Sequence, residues 1–392
     1  MKARPIREGI CWVGAVDWDR RLFDSLIPLP DGTSYNAYLV RGQDKTVLLD
    51  AVDPTMAHEL MSKLEETERV DYVVAHHGEQ DHSGCIPLVL DKFPGAVVVA
   101  SPKAKTFLID LLHIPEDRFM TVEDGATLDL GGRTITFIHT PWVHWPETMV
   151  SYLQPDGILF SCDFFGSHLA TSDLYVANEA RVYEAAKRYF AEIMMPFANV
   201  IQKNLEKLAP YDVKMIAPSH GPIYERPSFI VDAYREWTSG PPANLVAVAY
   251  VTMHGSTKVM VERLVEALSL RGVGVQQYEL TGTDIGKLAI SLVDAATVVI
   301  GTPTVLAGAH PLAVNAAFLA NALRPRVRFV SVLNSQSWGG KAVEQIASTI
   351  TNLKAEILEP VICRGLPRQA DLEAVDRLAD SIAGKHRSLG LL

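Results

Sequence analysis

The chain has 392 residues, of which 48% are hydrophobic and 21% charged, and its formal net charge is -10. This length exceeds one ordinary hydrophobic core, so we expect two domains, and the composition excludes a disordered chain. The acidic balance, without any basic run, argues against nucleic acid as a partner. No apolar stretch approaches the roughly 20 residues that span a bilayer, and the first 14 residues lack the apolar segment of a secretion signal.

The cysteines are isolated along the chain and form no C-x-x-C pair; they are Cys11, Cys85, Cys162 and Cys363. This usage favours a reducing cytoplasm over a disulfide framework, and it excludes a built-in zinc ribbon or rubredoxin module. We therefore expect a cytoplasmic protein that does not associate with membranes.

Residues 1–240 form the first predicted domain. Runs of buried apolar residues predict strands at 47–50, 72–75, 96–99 and 135–138. Gly131-Gly132 predicts a hairpin turn, and helical patterns cover about 102–112, 179–208 and 227–237. Strands and helices without strict alternation favour a layered α/β or α+β sandwich.

The pattern changes after Ser239-Gly240-Pro241-Pro242, which is the best candidate for a linker. Residues 244–392 form the second predicted domain, with strands at 245–251, 274–280, 295–300, 327–333 and 356–361. Helical patterns separate these strands, the first beginning at about Ser256. Five strands alternating with helices predict a doubly wound parallel sheet.

The strongest chemical signal is the run His77-Gly78-Glu79-Gln80-Asp81-His82, directly after a predicted strand. A loop leaving a strand end can direct these side chains toward two adjacent metal ions. Further candidates follow later strands, namely His144, Asp163 and His220, and a carboxylate at Asp163 could bridge two metals. Taken alone, each histidine could be an ordinary loop residue and Asp163 could cap a helix.

The run resembles the metallo-β-lactamase motif H-x-H-x-D-H, with Glu79 in place of the second histidine. That exchange, which favours iron over zinc, is a feature of flavodiiron proteins. The chain resembles this family over nearly its whole length, and the matching segments are Asp17-Trp18-Asp19-Arg20-Arg21-Leu22-Phe23, Tyr35-Asn36-Ala37-Tyr38, His144-Trp145-Pro146-Glu147-Thr148-Met149, Asp163-Phe164-Phe165-Gly166 and Ser219-His220-Gly221.

The resemblance implies that the first domain is a metallo-β-lactamase-like αββα sandwich with a di-iron site. One iron would bind His77, Glu79 and His144, the other would bind Asp81, His82 and His220, and Asp163 would bridge them. His168 falls where the family has a further histidine near the site. It could hydrogen-bond a ligand, donate to bound oxygen or be merely structural, whereas His76 is expected to face away from the metals.

The second domain carries a candidate phosphate cradle at Thr252-Met253-His254-Gly255-Ser256-Thr257, between its first strand and first helix. This segment resembles the flavodoxin loop T/S-x-x-G-x-T and implies bound FMN. Gly301-Thr302-Pro303-Thr304 resembles the family's G-x-P-T, but Val305 replaces a frequent aromatic residue, which leaves Trp338 to stack on the flavin or to pack on the following helix. The candidate flavin contacts are Thr252, Met253, His254, Gly255, Ser256, Thr257, Pro303, Thr304, Val305, Asn334, Trp338 and Gly339.

The resemblance implies an oxidoreductase that reduces O2 to water or NO to N2O, with electrons relayed through FMN. The donor would be external, either a rubredoxin-like protein or reduced coenzyme F420, because we expect no rubredoxin or nicotinamide-binding extension. A head-to-tail homodimer, or a dimer of dimers, would bring the FMN of one subunit to the irons of another. The alternatives are a binuclear zinc hydrolase and an electron-transfer flavoprotein with a vestigial metal site.

Overall fold

The computed structural model describes residues 2–392 and divides into two compact units. One unit contains the described residues up to Phe190 together with Phe197–Thr238, and the other contains Ala191–Pro196 and Ser239–Leu392. Within residues 2–392, no helix combines the length and the apolar character needed to cross a bilayer.

The strands of the first unit are β1 Arg4–Arg7, β2 Ile10–Trp12, β3 Ala15–Asp17, β4 Leu22–Phe23, β5 Ile27–Pro28, β6 Thr33–Tyr35, β7 Tyr38–Arg41, β8 Thr46–Leu49, β9 Tyr72–Val74, β10 Val97–Ala100, β11 Phe119–Thr121, β12 Thr127–Asp129, β13 Thr134–His139, β14 Met149–Gln154, β15 Ile158–Cys162 and β16 Met215–Pro218. Its helices are α1 Ala57–Lys63, α2 Gln80–Ser83, α3 Ile86–Lys92, α4 Pro102–Leu112, α5 Glu179–Tyr189, α6 Ala198–Leu208 and α7 Pro227–Ser239, with short 3-10 turns at Pro54–Met56 and Glu116–Arg118.

Two sheets form the centre of this unit, in the strand orders β1-β2-β7-β8-β9-β10-β11 and β12-β13-β14-β15-β16. Side chains alternate along each strand, so Val47 and Leu49 of β8 join a core that contains residues of both sheets. Leu48, between them, joins a second core with residues of the α1 and α3 helices. On the other sheet, Phe165 after β15 contacts Tyr234 of α7. The predicted αββα sandwich is therefore confirmed.

The second unit contains β17 Ala243–Tyr250, β18 Gly274–Glu279, β19 Ala295–Val305, β20 Gly308–Ala309, β21 Phe329–Gln336, β22 Glu356–Ile357 and β23 Val361–Arg364, with helices α8 Ser256–Leu270, α9 Ile285–Asp294, α10 Pro311–Leu323, α11 Ala342–Thr349 and α12 Gln369–Ser388. Its parallel strands run in the order β18-β17-β19-β21, and both β22 and β23 pair with β21. The order confirms the predicted doubly wound, flavodoxin-like sheet.

Two predicted elements are interrupted by proline. The strand predicted at 356–361 is split into β22 and β23, because Pro360 has no N–H to donate to the ladder. The helix predicted at 179–208 is split into α5 and α6. A π-helical turn at Phe190–Met194 and a 3-10 turn at Met195–Phe197 separate them, since Pro196 does not fit a helix interior.

Candidate metal centre and cofactor pocket

The run 77–82 follows β9, but only its first half is a loop. Gln80–Ser83 forms the short helix α2, so Asp81 and His82 lie on a helical turn rather than in the predicted loop. His76 faces away from the cluster: its Nδ1 lies 2.8 Å from Asp50 Oδ2, and its Nε2 lies 2.7 Å from Ser151 Oγ.

The structure brings the candidate metal ligands together in two groups. The groups are His77, Glu79, His144 and Asp163, and Asp81, His82 and His220; in each, the potential ligand atoms lie within 4.8 Å of one another. Cys162 also comes within this distance of His82 and Asp163, although its thiol is buried and its pKa is raised well above the usual value, first by burial and then by Asp50.

Asp163 lies between the two groups, with one carboxylate oxygen toward each. Oδ2 is 3.4 Å from His144 Nε2 and 3.6 Å from His77 Nε2. Oδ1 is 3.0 Å from His82 Nε2 and 3.3 Å from His220 Nε2. A carboxylate in this arrangement can bind one cation with each oxygen, which is the geometry of a bridging ligand.

The electrostatics of the cluster favour positive charge. Burial alone would lower the pKa of His220, but contacts with Asp163 and Asp81 outweigh it and raise that pKa to about 10. Burial would also raise the pKa of Asp163, yet the imidazoles of His82, His144 and His220 hold it well below its usual range. The site thus concentrates ionised carboxylates at a position shielded from water.

The buried polar atoms fit a pair of metal ions. Both carboxylate oxygens of Asp81 and of Asp163, and both ring nitrogens of His82, have no hydrogen-bond partner among the described residues. The imidazole nitrogens and carboxylate oxygens of these residues lie close together but do not form hydrogen bonds. Buried polar groups without hydrogen bonds destabilise the fold unless they bind a cation. The donor set of imidazoles and hard carboxylate oxygens suits iron.

Two ligand imidazoles are oriented by partners on their other ring nitrogen. His77 Nδ1 lies 2.7 Å from Glu147 Oε1, and His220 Nδ1 lies 2.7 Å from the carbonyl oxygen of Ser34. Asn36 holds the loop around His220, because its Nδ2 donates to the carbonyls of Pro218 and Gly221 at 2.8 and 2.7 Å. The sequence motifs contain Asn36 and Glu147, but nothing in their spacing indicated these contacts.

His168 lies beside the second group. Its Nδ1 is 2.8 Å from Thr33 Oγ1, its ring centroid is 4.6 Å from that of His220, and its Nε2 is buried without a partner in the described chain. Burial and then His220 lower its pKa well below the usual value, so the ring is neutral near pH 7. Phe23 packs on the same ring at 4.9 Å.

Two further side chains near the centre were not predicted from the sequence. Tyr189 of α5 contacts Asp163, and burial followed by that carboxylate raises the pKa of its hydroxyl well above the usual value. Asp24, at the tip of the β4–β5 hairpin, contacts Glu79. Partial burial and then Glu79 raise the pKa of Asp24 to about 6.

A pocket at the carboxyl ends of β17, β19 and β21 contains most of the candidate flavin contacts. Its lining residues are Thr252, Met253, His254, Ser256, Thr257, Pro303, Thr304, Ser335, Gln336, Ser337, Trp338 and Gly365. Four candidates do not line it, namely Gly255, Val305, Asn334 and Gly339. Asn334 instead donates to the Thr302 carbonyl at 3.0 Å. Trp338 is 76% exposed, so it does not pack against the following helix.

The pocket residues fit a phosphorylated flavin. Helix α8 begins after Gly255, whose φ is +90°, and no side chain caps its first turn. Its backbone N–H groups can therefore bind a phosphate, with hydroxyls of Thr252, Ser256 and Thr257 on the same wall. Ser335, Gln336, Ser337 and Gly365 were not among the candidates, although Ser335 and Gln336 end β21, Ser337 follows it and Gly365 follows β23 at this edge of the sheet.

A bimetal site in an αββα sandwich and a phosphate cradle in a doubly wound sheet together define a metalloflavoprotein. Comparisons with known proteins agree. Residues 33–221 match the family model of the ODP family beta lactamases, and residues 248–376 match that of the flavodoxins.

Relatives and solved structures extend this likeness over the whole chain. A nitric oxide reductase of Moorella thermoacetica is 33% identical over 97% of this chain and 98% of its own length. A coenzyme F420H2 oxidase of Methanothermobacter marburgensis is 36% identical over 79% of each chain. The rubredoxin oxygen:oxidoreductase of Desulfovibrio gigas superposes with a TM-score of 0.95, at 29% identity and 99% coverage of both chains.

The chain belongs to the flavodiiron proteins. It is accordingly an oxidoreductase whose cofactors are a pair of irons and FMN.

Proposed function

We propose that this protein reduces O2 to water, NO to N2O, or both, with electrons that reach a di-iron site through FMN. The observation that carries the proposal is the pair of buried ligand groups joined by Asp163, in a chain whose second unit has a phosphate cradle for a flavin. Relatives bear the names of an NO reductase, an F420H2 oxidase and an oxygen:oxidoreductase, which supports both substrates.

We assign one iron to His77, Glu79 and His144. The other is assigned to Asp81, His82 and His220, and Asp163 is the bridge. When bound, the irons exchange electrons between the ferrous and ferric states, and FMN passes on electrons from the donor. The surrounding side chains hold the ligands in place and exclude water, since six of the seven are buried.

We assign His168 to substrate binding. Its ring is neutral and its buried Nε2 has no partner among the described residues, so it can form one hydrogen bond with a small ligand beside His220. Thr33 fixes the ring from its other nitrogen. With Thr33 Oγ1 donating to Nδ1, the ring proton is on Nε2, which can donate to O2 or NO, both of them uncharged.

The same twelve residues named from the sequence remain our candidates for holding FMN, and Ser335, Gln336, Ser337 and Gly365 are added to them. The uncapped first turn of α8 would bind the phosphate. Trp338 lines the pocket with its side chain free of helix α11, which favours stacking on the isoalloxazine ring over the alternative of helix packing.

The electron donor is proposed to be external, either a rubredoxin-like protein or reduced coenzyme F420. Both types are named among the similar proteins. Lys341 follows the loop of Trp338, and Arg364 and Arg368 flank the loop of Gly365; all three are exposed, on a chain of net charge -10. Exposed cations at this position favour an anionic donor.

We propose a head-to-tail homodimer, alone or paired into a tetramer. Apolar side chains are exposed in each unit. Trp18, Leu22, Leu26 and Trp142 are exposed in segments of the metal-binding unit, and Met253, Leu306, Trp338 and Leu366 are exposed in loops of the flavin-binding unit. In a head-to-tail dimer, the exposed apolar side chains of the metal-binding unit of one subunit would pack against those of the flavin-binding unit of the other, and both would be removed from water. We also propose a cytoplasmic location, which suits the four unpaired thiols.

The proposal is tested by metal analysis and visible spectroscopy of protein made in iron-supplemented medium, followed by stopped-flow mixing of the reduced protein with O2 and with NO. We expect about two irons and one FMN per chain, and rapid oxidation by at least one gas. Asp163→Asn should lose iron while keeping FMN. Two zincs, no flavin and no reaction with either gas would refute the proposal and favour the binuclear zinc hydrolase.

A further inference from the structure

The ligand imidazoles differ in what their second ring nitrogen contacts. His77 Nδ1 meets a carboxylate, that of Glu147, at 2.7 Å. His220 Nδ1 meets the neutral carbonyl of Ser34, also at 2.7 Å. His82 Nδ1 is buried and has no hydrogen-bond partner in the described part of the chain. The first ligand group therefore has a carboxylate hydrogen-bonded to the Nδ1 of one of its histidines, whereas neither His82 nor His220 of the second group has such a contact among the described residues.

Glu147 is a fully buried anion. Its side chain is 0% exposed, and Oε1 accepts hydrogen bonds both from His77 and from the N–H of Gly78 at 3.0 Å. Two N–H contacts on one carboxylate oxygen, from His77 and Gly78, stabilise the ionised form of Glu147. Its other oxygen, Oε2, is buried with no partner among residues 2–392. A buried carboxylate with one unpaired oxygen is further stabilised by positive charge nearby.

The charge count around the cluster points the same way. Glu79, Asp81 and Asp163 contribute three negative charges, and Glu147 adds a fourth without entering either ligand group. Two ferrous ions carry four positive charges, one more than the three ligand carboxylates offset, and Glu147 adds negative charge on the side of His77. Because the ligand that Glu147 contacts is His77, its charge should be felt mainly at the first iron.

We propose that Glu147 makes the two irons unequal, by holding His77 in a more strongly donating state that favours the ferric form of the first iron. The inference rests on the proposed di-iron function. Each iron exchanges one electron between its ferrous and ferric forms, and a carboxylate behind a ligating histidine raises the basicity of that ligand. Glu147 is thus a positioning residue, since it touches His77 and not the metal.

The test uses Glu147→Gln in the full-length, FMN-loaded protein. The amide keeps an oxygen that can accept from His77 Nδ1 but removes the charge. We expect the reduction potential of one iron to rise by about 59 mV, which corresponds to a roughly tenfold loss of preference for the ferric state. The reduction potential of the other iron should change by much less. An EPR-monitored redox titration measures both, and titration of the apo-protein with Fe2+ should show about tenfold or greater weakening of one binding event.

Asp50→Asn is the matched control. Asp50 is a buried carboxylate that contacts the preceding histidine, His76, at 2.8 Å, but His76 is in neither ligand group. Asp50 also lies within electrostatic reach of His82, a ligand of the second group, so this variant should leave the potential of the first iron unchanged. Circular dichroism and FMN content establish that both variants fold.

Unchanged potentials in a folded, iron-loaded Glu147→Gln protein would overturn the inference, as would equal shifts of both irons. Selective loss of one iron from this variant would support it, whereas loss of both irons from the Glu147 and Asp50 variants alike would overturn it. Failure of the proposed function looks different, because the unsubstituted protein itself would then lack redox-active iron.

Discussion

The loop that carries His220 depends on one buried side chain, and removing it has a calculable cost. Asn36 is 3% exposed and forms three side-chain hydrogen bonds, accepting from Trp12 Nε1 at 2.9 Å and donating to the carbonyls of Pro218 and Gly221. Replacing it with alanine leaves a buried donor and at least one buried acceptor without partners. At about 1 kcal/mol per bond, Asn36→Ala should destabilise the first domain by about 3 kcal/mol.

For a domain of this size, that loss corresponds to a fall of about 6–12 °C in the melting temperature. Asn36→Asp should be worse than alanine, because its second carboxylate oxygen would face two carbonyl oxygens in place of the amide donor. Displacement of the loop should also weaken iron binding at the second position, which titration of the apo-protein with Fe2+ measures.

Thermal unfolding followed by circular dichroism compares these variants with Asn204→Ala. Asn204 is also buried, at 5% exposure, but its Nδ2 has no hydrogen-bond partner among the described residues, so its removal should cost little. The reasoning is refuted if Asn36→Ala melts like the unsubstituted protein, or if Asn36→Asp is more stable than Asn36→Ala.

Three further predictions concern pH, FMN and iron. His386 contacts Asn244 and Thr297 at 2.8 Å, and burial lowers its pKa. As pH falls below about 6.5, the second domain should therefore lose up to about 1.4 kcal/mol of stability per pH unit. Denaturation series at several pH values should show a flatter slope for His386→Gln. Gly255→Val should reduce the FMN content of purified protein, because Gly255 has φ +90°, a backbone conformation that strains a residue with a side chain. Gly282→Val should leave the FMN content unchanged, because Gly282 has no such φ and a side chain there would meet no neighbouring atom. Removing iron with a chelator should lower the melting temperature of the first domain and leave FMN bound; an unchanged transition would show that the cluster is stable without its metals.

The candidate metal ligands could be predicted from the sequence because of their density and spacing. Four potential ligands occur in six residues after a strand, and later ligands follow strands of the same domain. The residues that support them could not be predicted in this way. Glu147 reaches His77 across 70 positions, and Asn36 reaches Pro218 across 182, so only the folded chain brings them together.

The flavin pocket was less predictable than the metal centre. The glycine and hydroxyls of 252–257 form a recognisable pattern, because a helix N-terminus that binds phosphate requires them. The ring-binding loops have no such requirement, since backbone groups and varied side chains can contact a flat ring. Ser335 and Gly365 therefore line the pocket without any signal of their own, while Asn334, chosen from the sequence, holds the loop together from inside.

The metal site also joins the two sheets of the first unit. His77 follows β9 of one sheet, whereas Asp163 and His220 follow β15 and β16 of the other. A cation pair held by all three, as proposed, would connect at one edge two sheets whose shared core is apolar. Because contacts of this kind exist only in the folded state, the free energy of iron binding adds to the free energy of unfolding. Iron affinity and domain stability are thus one linked quantity here, and any substitution that lets the two sheets separate at this edge should lower both.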